Sequence, residues 1–241
     1  MSERILGIVG GTGPESTIDY YRSIVASWRR RSPDGSYPRL IVNSVEAGGV
    51  FRLLDQGHYA AVASQLAEAV RQLAAAGAGC ALLASNGTHL AFDEIATNVP
   101  IPLLHIVDAA RDVAQARGHR RLGLFGARFV MESPMYPERL GRAGIAVVVP
   151  TSDEQDYIHA RYFGELVSGT FLDATRQELV SIIAAMRARD EIDGLILGGT
   201  ELGLILTEAT YAGVPILNTA QIHVERAVDW LLGQDDPGSG T

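Results

Sequence analysis

The chain has 241 residues, of which 47% are hydrophobic and 20% charged, which is the composition of a globular protein and not of a disordered one. Its formal net charge is −8, and this argues against a nucleic-acid partner because phosphate binding requires a basic face. No apolar stretch approaches the roughly 18 residues of a membrane span, so we expect no membrane partner. The single cysteine, Cys80, excludes an intrachain disulfide, is interpreted as a core residue, and favours a reducing, cytoplasmic location.

Short apolar runs alternate with longer amphipathic runs along the chain. This alternation predicts βαβ units and therefore an α/β fold with mostly parallel sheet. The predicted strands are Ile5–Val9, Arg39–Val45, Cys80–Ala84, Arg121–Phe125, Ile145–Val149 and Gly194–Leu197, with shorter strands near Leu103 and Ile216. The predicted helices are Ser16–Arg30, Tyr59–Ala75, Ile106–Arg117, Asp153–Ser168, Asp173–Arg189 and Ile222–Leu232. The segment after Gln234 is predicted to be a frayed terminus.

An internal repeat relates the two halves of the chain. The segment LGIVG at residue 6 matches LGLFG at residue 122, GCALLASN matches DGLILGGT, and PLLH matches PILN, at offsets of 113 to 116 residues. The repeat predicts two similar α/β domains, 1–105 plus 216–241 and 106–215, related by a pseudo-twofold axis with a cleft between them. Ligands bind at the carboxyl ends of strands in open α/β sheets, so the turns after the repeated strands are the predicted ligand site.

The first of these turns is Gly-rich and includes Gly11 and Thr12. Glycines let the backbone approach a ligand, Pro14 suits a first helical position, and free amides at a helix start attract an anion. No lysine follows and the glycine spacing is not that of a dinucleotide fingerprint, so neither a nucleoside triphosphate nor a dinucleotide is expected. A tight strand–helix turn without a ligand remains an equal alternative.

A second turn and its repeat mate carry small hydroxyls and ionisable groups, which suit a carboxylate ligand. Helix capping by Asn86, Thr88 or Thr200 is the structural alternative for the same residues. The candidate residues in these two turns are Ser85, Asn86, Gly87, Thr88 and His89 in one, and Gly199, Thr200 and Glu201 in the other.

The remaining candidates are weaker. Arg128 and Glu132 follow the repeat mate of the first turn. They either face the predicted cleft or cover the rim of that cleft. His105, at a strand end, favours a structural role over a chemical one. No pair of histidines has metal-ligand spacing, so no metal site is expected.

Six segments taken together resemble the aspartate/glutamate racemase superfamily, aspartate racemase branch. They are LGIVGGTGPESTIDYY, ASNGTHLAFDEI, VPIPLLHIVDAA, LGLFGARFVMESPMY, LGGTELGLIL and VPILNTAQIH, in the family's order over nearly the whole chain. The resemblance implies an isomerase that exchanges the α-proton of an amino acid without a cofactor, and a homodimer. It also implies that two thiols face opposite sides of the α-carbon.

The resemblance aligns the first thiol with Ser85 and the second with Gly199, so the two-thiol mechanism is not available to this sequence. A lysine that assists substrate binding in the branch falls near Tyr157, where the segment SDEQDYIHARYF has none. Ser85 can act only if a neighbour, His89 or Glu201, takes its proton. We expect cysteines placed at both thiol positions to restore more racemisation than either cysteine alone.

Three functional hypotheses remain open for an amino-acid or small carboxylic-acid ligand. The first is a racemase-type isomerase with relocated acid and base groups, Ser85, His89 and Glu201. The second is a decarboxylation, elimination or isomerisation on the same scaffold, and the third is an inactive homologue that binds a small acid. A fold alone does not decide among them.

Overall fold

A computed structural model describes residues 4–32 and 35–234. The chain divides into two compact units. Unit 1 contains the described residues of Met1–His105 and His223–Thr241, and unit 2 contains Ile106–Ile222. The terminus predicted to fray after Gln234 lies outside the described residues.

Unit 1 is built on a parallel sheet of four strands in the order β2-β1-β3-β4. The two central strands are almost completely buried because helices cover them, which explains their consecutive apolar residues. Cys80 has no exposed surface, which confirms its predicted place in the core. The strands are β1 (Ile5–Gly10), β2 (Arg39–Ser44), β3 (Cys80–Leu83) and β4 (Leu103–Leu104). The helices within this unit are α1 (Pro14–Arg31), α2 (Ala47–Asp55), α3 (Tyr59–Ala75) and α4 (Phe92–Thr97), with a 3₁₀ helix at Gly87–Ala91.

Unit 2 repeats this strand order, β6-β5-β7-β9, and adds β8 as an antiparallel edge strand beside β9. The strands are β5 (Arg121–Gly126), β6 (Ala146–Val148), β7 (Gly194–Gly198), β8 (Thr210–Tyr211) and β9 (Val214–Asn218). The helices are α5 (Ile106–Ala116), α6 (Arg128–Met131), α7 (Met135–Gly141), α8 (Ser152–Gly164), α9 (Asp173–Asp190) and α10 (Leu202–Ile205), with a 3₁₀ helix at Leu166–Ser168. The last helix, α11 (Thr219–Leu231), begins in unit 2 and continues in unit 1.

The predicted return to the first domain at residue 216 is wrong. Strand β9 pairs in parallel with β7 through Leu195 and Ile216, so it completes the sheet of unit 2. The chain passes to unit 1 only at His223, inside α11. A short apolar strand carries no signal for which sheet it joins, and pairing with β7 decides it.

Helix α1 follows the sequence signals at both ends. Pro14 occupies its first turn, and its last turn carries Arg29, Arg30 and Arg31, which interact favourably with the helix dipole. Arg31 also pairs with Asp229 at 2.5 Å and with Glu225 at 3.3 Å, so the basic cluster ties α1 to α11. Among the helices at residues 4–32 and 35–234, none has the length and apolarity that crossing a bilayer requires.

Gly11 adopts a left-handed φ of +89°, and a Cβ on it would lie 2.2 Å from the carbonyl oxygen of Val45. We expect Gly11→Ala to lower the free energy of unfolding by about 2–4 kcal/mol, because strain and a backbone clash add. Urea denaturation measures the effect. The matched control is Gly57→Ala, since Gly57 has a φ of +71° with no atom within 4 Å of a Cβ. A Gly11→Ala cost no larger than that of the control would contradict the clash.

Candidate functional site

The Gly-rich turn joins β1 to α1 in unit 1 and is held by bonds within the protein. The amide of Gly11 donates to the hydroxyl of Thr17 at 2.9 Å, and that hydroxyl donates to the carbonyl of Gly13 at 3.0 Å. A Cβ on Gly10 would lie 2.4 Å from Thr17, so packing alone requires glycine there. Thr12 is buried in the same turn. The tight-turn alternative therefore has direct structural support, and ligand binding by Gly11 and Thr12 stays a prediction.

The Ser85 turn lies beside the Gly-rich turn, because β3 and β1 are neighbouring strands. The hydroxyl of Ser16, in α1, donates to the carbonyl of Ala84 at 3.0 Å and links the two turns. The candidate side chains of this turn are buried: Ser85, Asn86, Thr88 and His89. Because β1 and β3 are parallel, the unit 1 candidates lie together at the carboxyl ends of the strands.

The predicted helix caps are not formed. The side chain of Asn86 makes no capping bond, and the hydroxyl of Thr88 donates instead to the carbonyl of Ser85 at 2.9 Å. In unit 2 the hydroxyl of Thr200 donates to Glu201 and caps no amide. The helices that follow are short, five residues at Gly87–Ala91 and four at Leu202–Ile205, so their dipoles are small. Anion binding by helix dipoles loses its main physical basis here.

His89 is oriented by the backbone of the same turn. Its Nδ1 lies 2.8 Å from the carbonyl oxygen of Ser85, and because a carbonyl only accepts, Nδ1 carries the proton. Nδ1 is therefore occupied by the Ser85 backbone and cannot take a proton from the Ser85 hydroxyl. If His89 acts as a base, Nε2 is the atom that does so.

A buried aromatic cluster surrounds the His89 ring. The ring stacks on Phe92 with centroids 5.4 Å apart, and lies 4.9 Å from His105 and 5.7 Å from His223. The packing of His105 against His89 and Phe92 is the contact expected of a structural histidine. His223, from α11, was not among the candidates from the sequence, because the residues next to it in the sequence do not indicate that it packs against His89.

His223 is held as a neutral ring by two hydrogen bonds. Its Nε2–H donates to the carbonyl of Leu104 at 3.1 Å, so Nδ1 accepts the hydroxyl of Tyr20 at 3.0 Å. Burial, with a smaller contribution from nearby His89, lowers the pKa of His223 to about 3. The ring thus contributes a fixed, uncharged support beneath His89.

Acid is expected to destabilise the protein through His223. Its pKa is about 3 in the folded chain and 6.5 as the reference value, so the unfolded state binds the proton first as pH falls. The free energy of unfolding therefore decreases from pH 6.5 towards pH 3, by about 2 kcal/mol between about pH 7 and pH 5. Urea denaturation at both pH values tests this. His223→Gln should remove that difference, whereas the exposed His58→Gln should keep it; equal pH dependence in all three proteins would contradict the assignment.

In unit 2, Tyr162 fills the space beside Gly199. A Cβ on Gly199 would lie 2.5 Å from ring atom Cε2 of Tyr162 and 3.2 Å from its hydroxyl oxygen. The Tyr162 hydroxyl donates to Oε2 of Glu201, and the Thr200 hydroxyl donates to the same oxygen at 2.9 Å. Glu201 is 2% exposed and Tyr162 is 7% exposed. The carboxylate is therefore buried with two hydroxyl donors.

Tyr162 is the site residue that sequence reasoning missed. Glycine provides no side chain at position 199. The space beside it is filled by a tyrosine that lies 37 residues earlier in the chain, on α8. Burial raises the pKa of Tyr162 well above its usual value, and the neighbouring Glu201 raises it further. The one available signal was a buried tyrosine within a predicted helix, which is ordinarily a core residue.

The other unit 2 candidates make contacts of their own. The guanidinium of Arg128 pairs with Asp156, and its amide donates to Nδ1 of His159 at 3.1 Å. Tyr157 lies under the guanidinium of Arg161, 5.1 Å from the ring centroid. Tyr157 precedes Tyr162 by five residues, a rotation of about 140° around the helix, so the two rings point in different directions. Substrate binding by Arg128 and Tyr157 stays a prediction.

No group of three or more His, Cys, Asp and Glu side chains suited to a metal occurs among residues 4–32 and 35–234. The groups at these positions that can exchange protons are a hydroxyl and an imidazole in unit 1, and a phenol and a carboxylate in unit 2.

Comparison with known proteins identifies the family. The Asp/Glu/hydantoin racemase profile matches residues 9–227. This chain belongs to that family. It is 31% identical to a putative Asp/Glu racemase from Yersinia pestis, with a TM-score of 0.85 over 95% of this chain and 99% of that one. It is 30% identical to an aspartate racemase homologue from Pyrococcus horikoshii, with a TM-score of 0.81 over 95% of this chain and 99% of that one.

More distant racemases share the fold. The aspartate racemase of Picrophilus torridus is 18% identical, with a TM-score of 0.75 over 97% of this chain and all of that one (100%). The two parallel sheets flanked by helices confirm the predicted α/β class.

Proposed function

We propose that this racemase-family protein is a cofactor-independent enzyme that removes and replaces the α-proton of an amino acid or related small carboxylic acid. Its acid and base groups are not thiols. The observation that carries the proposal is the burial of ionisable and hydroxyl side chains at and beside the two positions where the resemblance implies thiols: Ser85 with His89, and Glu201 beside Gly199. Cys80, the single thiol, lies inside β3 with no exposed surface.

Burial makes these polar groups costly to the fold. Removing a hydroxyl or imidazole from water without full compensation costs about 1–3 kcal/mol, and removing a carboxylate costs more. Ser85, His89 and Glu201 are each less than one-tenth exposed. Buried titratable groups cluster at functional sites, which supports assigning these side chains a role in ligand binding or chemistry.

The sequence itself supports a reaction without pyridoxal phosphate. No lysine occurs anywhere in the 241 residues, so the internal Schiff base that holds this cofactor cannot form. The proposal therefore assigns proton transfer at the α-carbon to side chains. The candidates for holding the substrate carboxylate are the small polar groups and glycines of the turns, with Arg128 and Tyr157 further along unit 2: Gly11, Thr12, Asn86, Gly87, Thr88, Gly199 and Thr200. We expect a homodimer, as the family resemblance implies.

The test is α-proton exchange in heavy water. Purified protein is incubated with each enantiomer of aspartate, glutamate and other amino and dicarboxylic acids, and Cα–H signals are followed by NMR alongside chiral chromatography. We expect exchange for at least one compound, and racemisation of aspartate and glutamate well below that of a two-thiol racemase. Exchange without inversion would indicate a one-sided reaction such as a decarboxylation or elimination. No exchange with any compound would contradict the proposal and favour a binding homologue.

Rapid racemisation of aspartate or glutamate would contradict the assignment of the thiol positions. An enzymatic rate of roughly 1 per second or faster would mean that other residues supply both protons efficiently.

A further inference from the structure

We infer that Tyr162 and Glu201 form a proton relay that takes the place of the family's second thiol. The inference rests on the proposed function, because it names the group that serves one face of the α-carbon. Tyr162 is the residue that exchanges a proton with the substrate, and Glu201 is the group that stores it.

The first support is the position of the phenol. The residue aligned with the second thiol is Gly199, and a side chain built there would overlap the Tyr162 ring. The phenolic oxygen would lie 3.2 Å from that Cβ. The ring and hydroxyl of Tyr162 therefore border the space into which a side chain at position 199 would extend. A hydroxyl thus lies next to the position where the resemblance implies a thiol.

The second support is the partner of the phenol. Tyr162 donates its proton to Oε2 of Glu201, and the Thr200 hydroxyl holds that oxygen from another side. The carboxylate is almost fully buried, so its exchange of protons with a ligand runs most directly through the tyrosine that covers it. Phenol and carboxylate are already in the geometry that a transfer between them requires.

The relay moves one proton without a net change on the tyrosine. In the direction of abstraction, the Cα–H bond breaks and its electron pair stays on the substrate as a carbanion. The proton joins the Tyr162 oxygen while the original phenolic proton moves to Glu201. In the reverse direction, Glu201 returns its proton to the phenolic oxygen and Tyr162 donates its own to the carbanion. Atoms and charge balance in both directions.

The electrostatics explain why a relay is needed and a simple tyrosinate is not. Burial and the Glu201 charge both raise the pKa of Tyr162, so an isolated phenolate beside this carboxylate is unstable. Coupling the two transfers avoids that species, because Glu201 loses its charge as the substrate gains one.

The experiment compares each enantiomer separately in heavy water with Tyr162→Phe, Glu201→Gln and the wild-type chain. Phenylalanine keeps the ring that fills the Gly199 space, and glutamine keeps an acceptor for the phenol but cannot take its proton. We expect both variants to lower exchange from one enantiomer about 100-fold or more, as for loss of a general acid–base group. Exchange from the other enantiomer should change far less, and inversion should be lost from both.

The matched control is Tyr211→Phe, which removes the hydroxyl of another buried tyrosine in unit 2, whose oxygen accepts a hydrogen bond from the amide of Glu208. It should exchange as wild type does. If either relay variant exchanges both enantiomers at the wild-type rate, the relay is overturned and the proposed function stays in place. A uniform fall for both enantiomers would also overturn it, because that result indicates a structural role. Absence of exchange in the wild-type chain would overturn the proposed function and the relay together.

Discussion

Gly199→Cys is expected to lower the free energy of unfolding by about 3 kcal/mol, because overpacking a buried site forces its neighbours to move. The new Cβ would lie 2.5 Å from a ring carbon of Tyr162, far inside ordinary contact distance. Tyr162 cannot move aside without breaking its hydrogen bond to the buried Glu201. Urea denaturation of the single variant measures the cost.

A double-mutant cycle separates this clash from other effects of the cysteine. In a Tyr162→Ala background the ring is absent, so adding Gly199→Cys should cost about 1–3 kcal/mol less than in the wild-type chain. Gly141→Cys is the control, since a Cβ on Gly141 meets no atom within 4 Å and should change stability little. A wild-type stability for Gly199→Cys, or additive effects in the cycle, would show that the ring does not occupy this space.

The clash between a side chain at position 199 and the Tyr162 ring affects any attempt to introduce two thiols into this chain. The sequence predicted that cysteines at positions 85 and 199 together restore more racemisation than either alone, because Gly199 offers no proton donor. Tyr162 fills the space beside Gly199, so the pair of substitutions should raise activity only when Tyr162 is also shortened. Chiral chromatography of Ser85→Cys/Gly199→Cys with and without Tyr162→Ala distinguishes the two cases. Equal recovery with tyrosine present would contradict the steric argument.

His89→Asn is expected to lower α-proton exchange by about 100-fold to 10,000-fold, the usual contribution of a general acid–base group. The asparagine amide can replace Nδ1–H as the donor to the Ser85 carbonyl, which keeps the turn in place. What it lacks is the second ring nitrogen, Nε2, which is the atom that the proposed function assigns to proton transfer. Exchange in heavy water and the unfolding free energy are measured on the same preparation.

The matched control for this variant is His58→Asn, which changes an exposed histidine of unit 1 that precedes α3. It should leave exchange at the wild-type rate. If His89→Asn is folded and exchanges as fast as the control, His89 is a structural member of the aromatic cluster and Ser85 must have another base. Loss of exchange together with unfolding would be resolved by His89→Gln, which offers a polar atom near the Nε2 position.

Most secondary structure could be predicted from the sequence, because long apolar strands and amphipathic helices carry strong local signals. The strand predicted at Ile5–Val9 is observed as Ile5–Gly10, and the helix predicted at Asp173–Arg189 as Asp173–Asp190. The helices absent from the prediction are α2, α4, α6, α7 and α10, with four to nine residues each. The shortest, α6 and α10, have four residues each, too few for a periodic pattern. The edge strand β8, with two residues, is defined only by its pairing with β9.

The candidate site was predicted in part. The repeat drew attention to the turns after β1, β3, β5 and β7, and parallel pairing of neighbouring strands brings their residues to one edge in each sheet. The capping roles of Asn86 and Thr200 were wrong, because local sequence suggests a cap wherever a polar residue precedes a helix. The hydrogen bonds that these side chains make depend instead on the path of the backbone through each turn.

The sequence by itself determined the α/β class, the internal repeat, the absence of lysine and the absence of any cysteine other than Cys80, since these follow from residue types and their local periodicity. Only the tertiary structure decided what surrounds the reactive positions. His223 approaches Tyr20 across 203 residues of chain, and Tyr162 approaches Glu201 across 39. Such contacts depend on how helices pack over the sheet, and side-chain packing between distant segments leaves no periodic trace in the sequence. The packing of Tyr162 beside Gly199 is therefore known only from the tertiary structure.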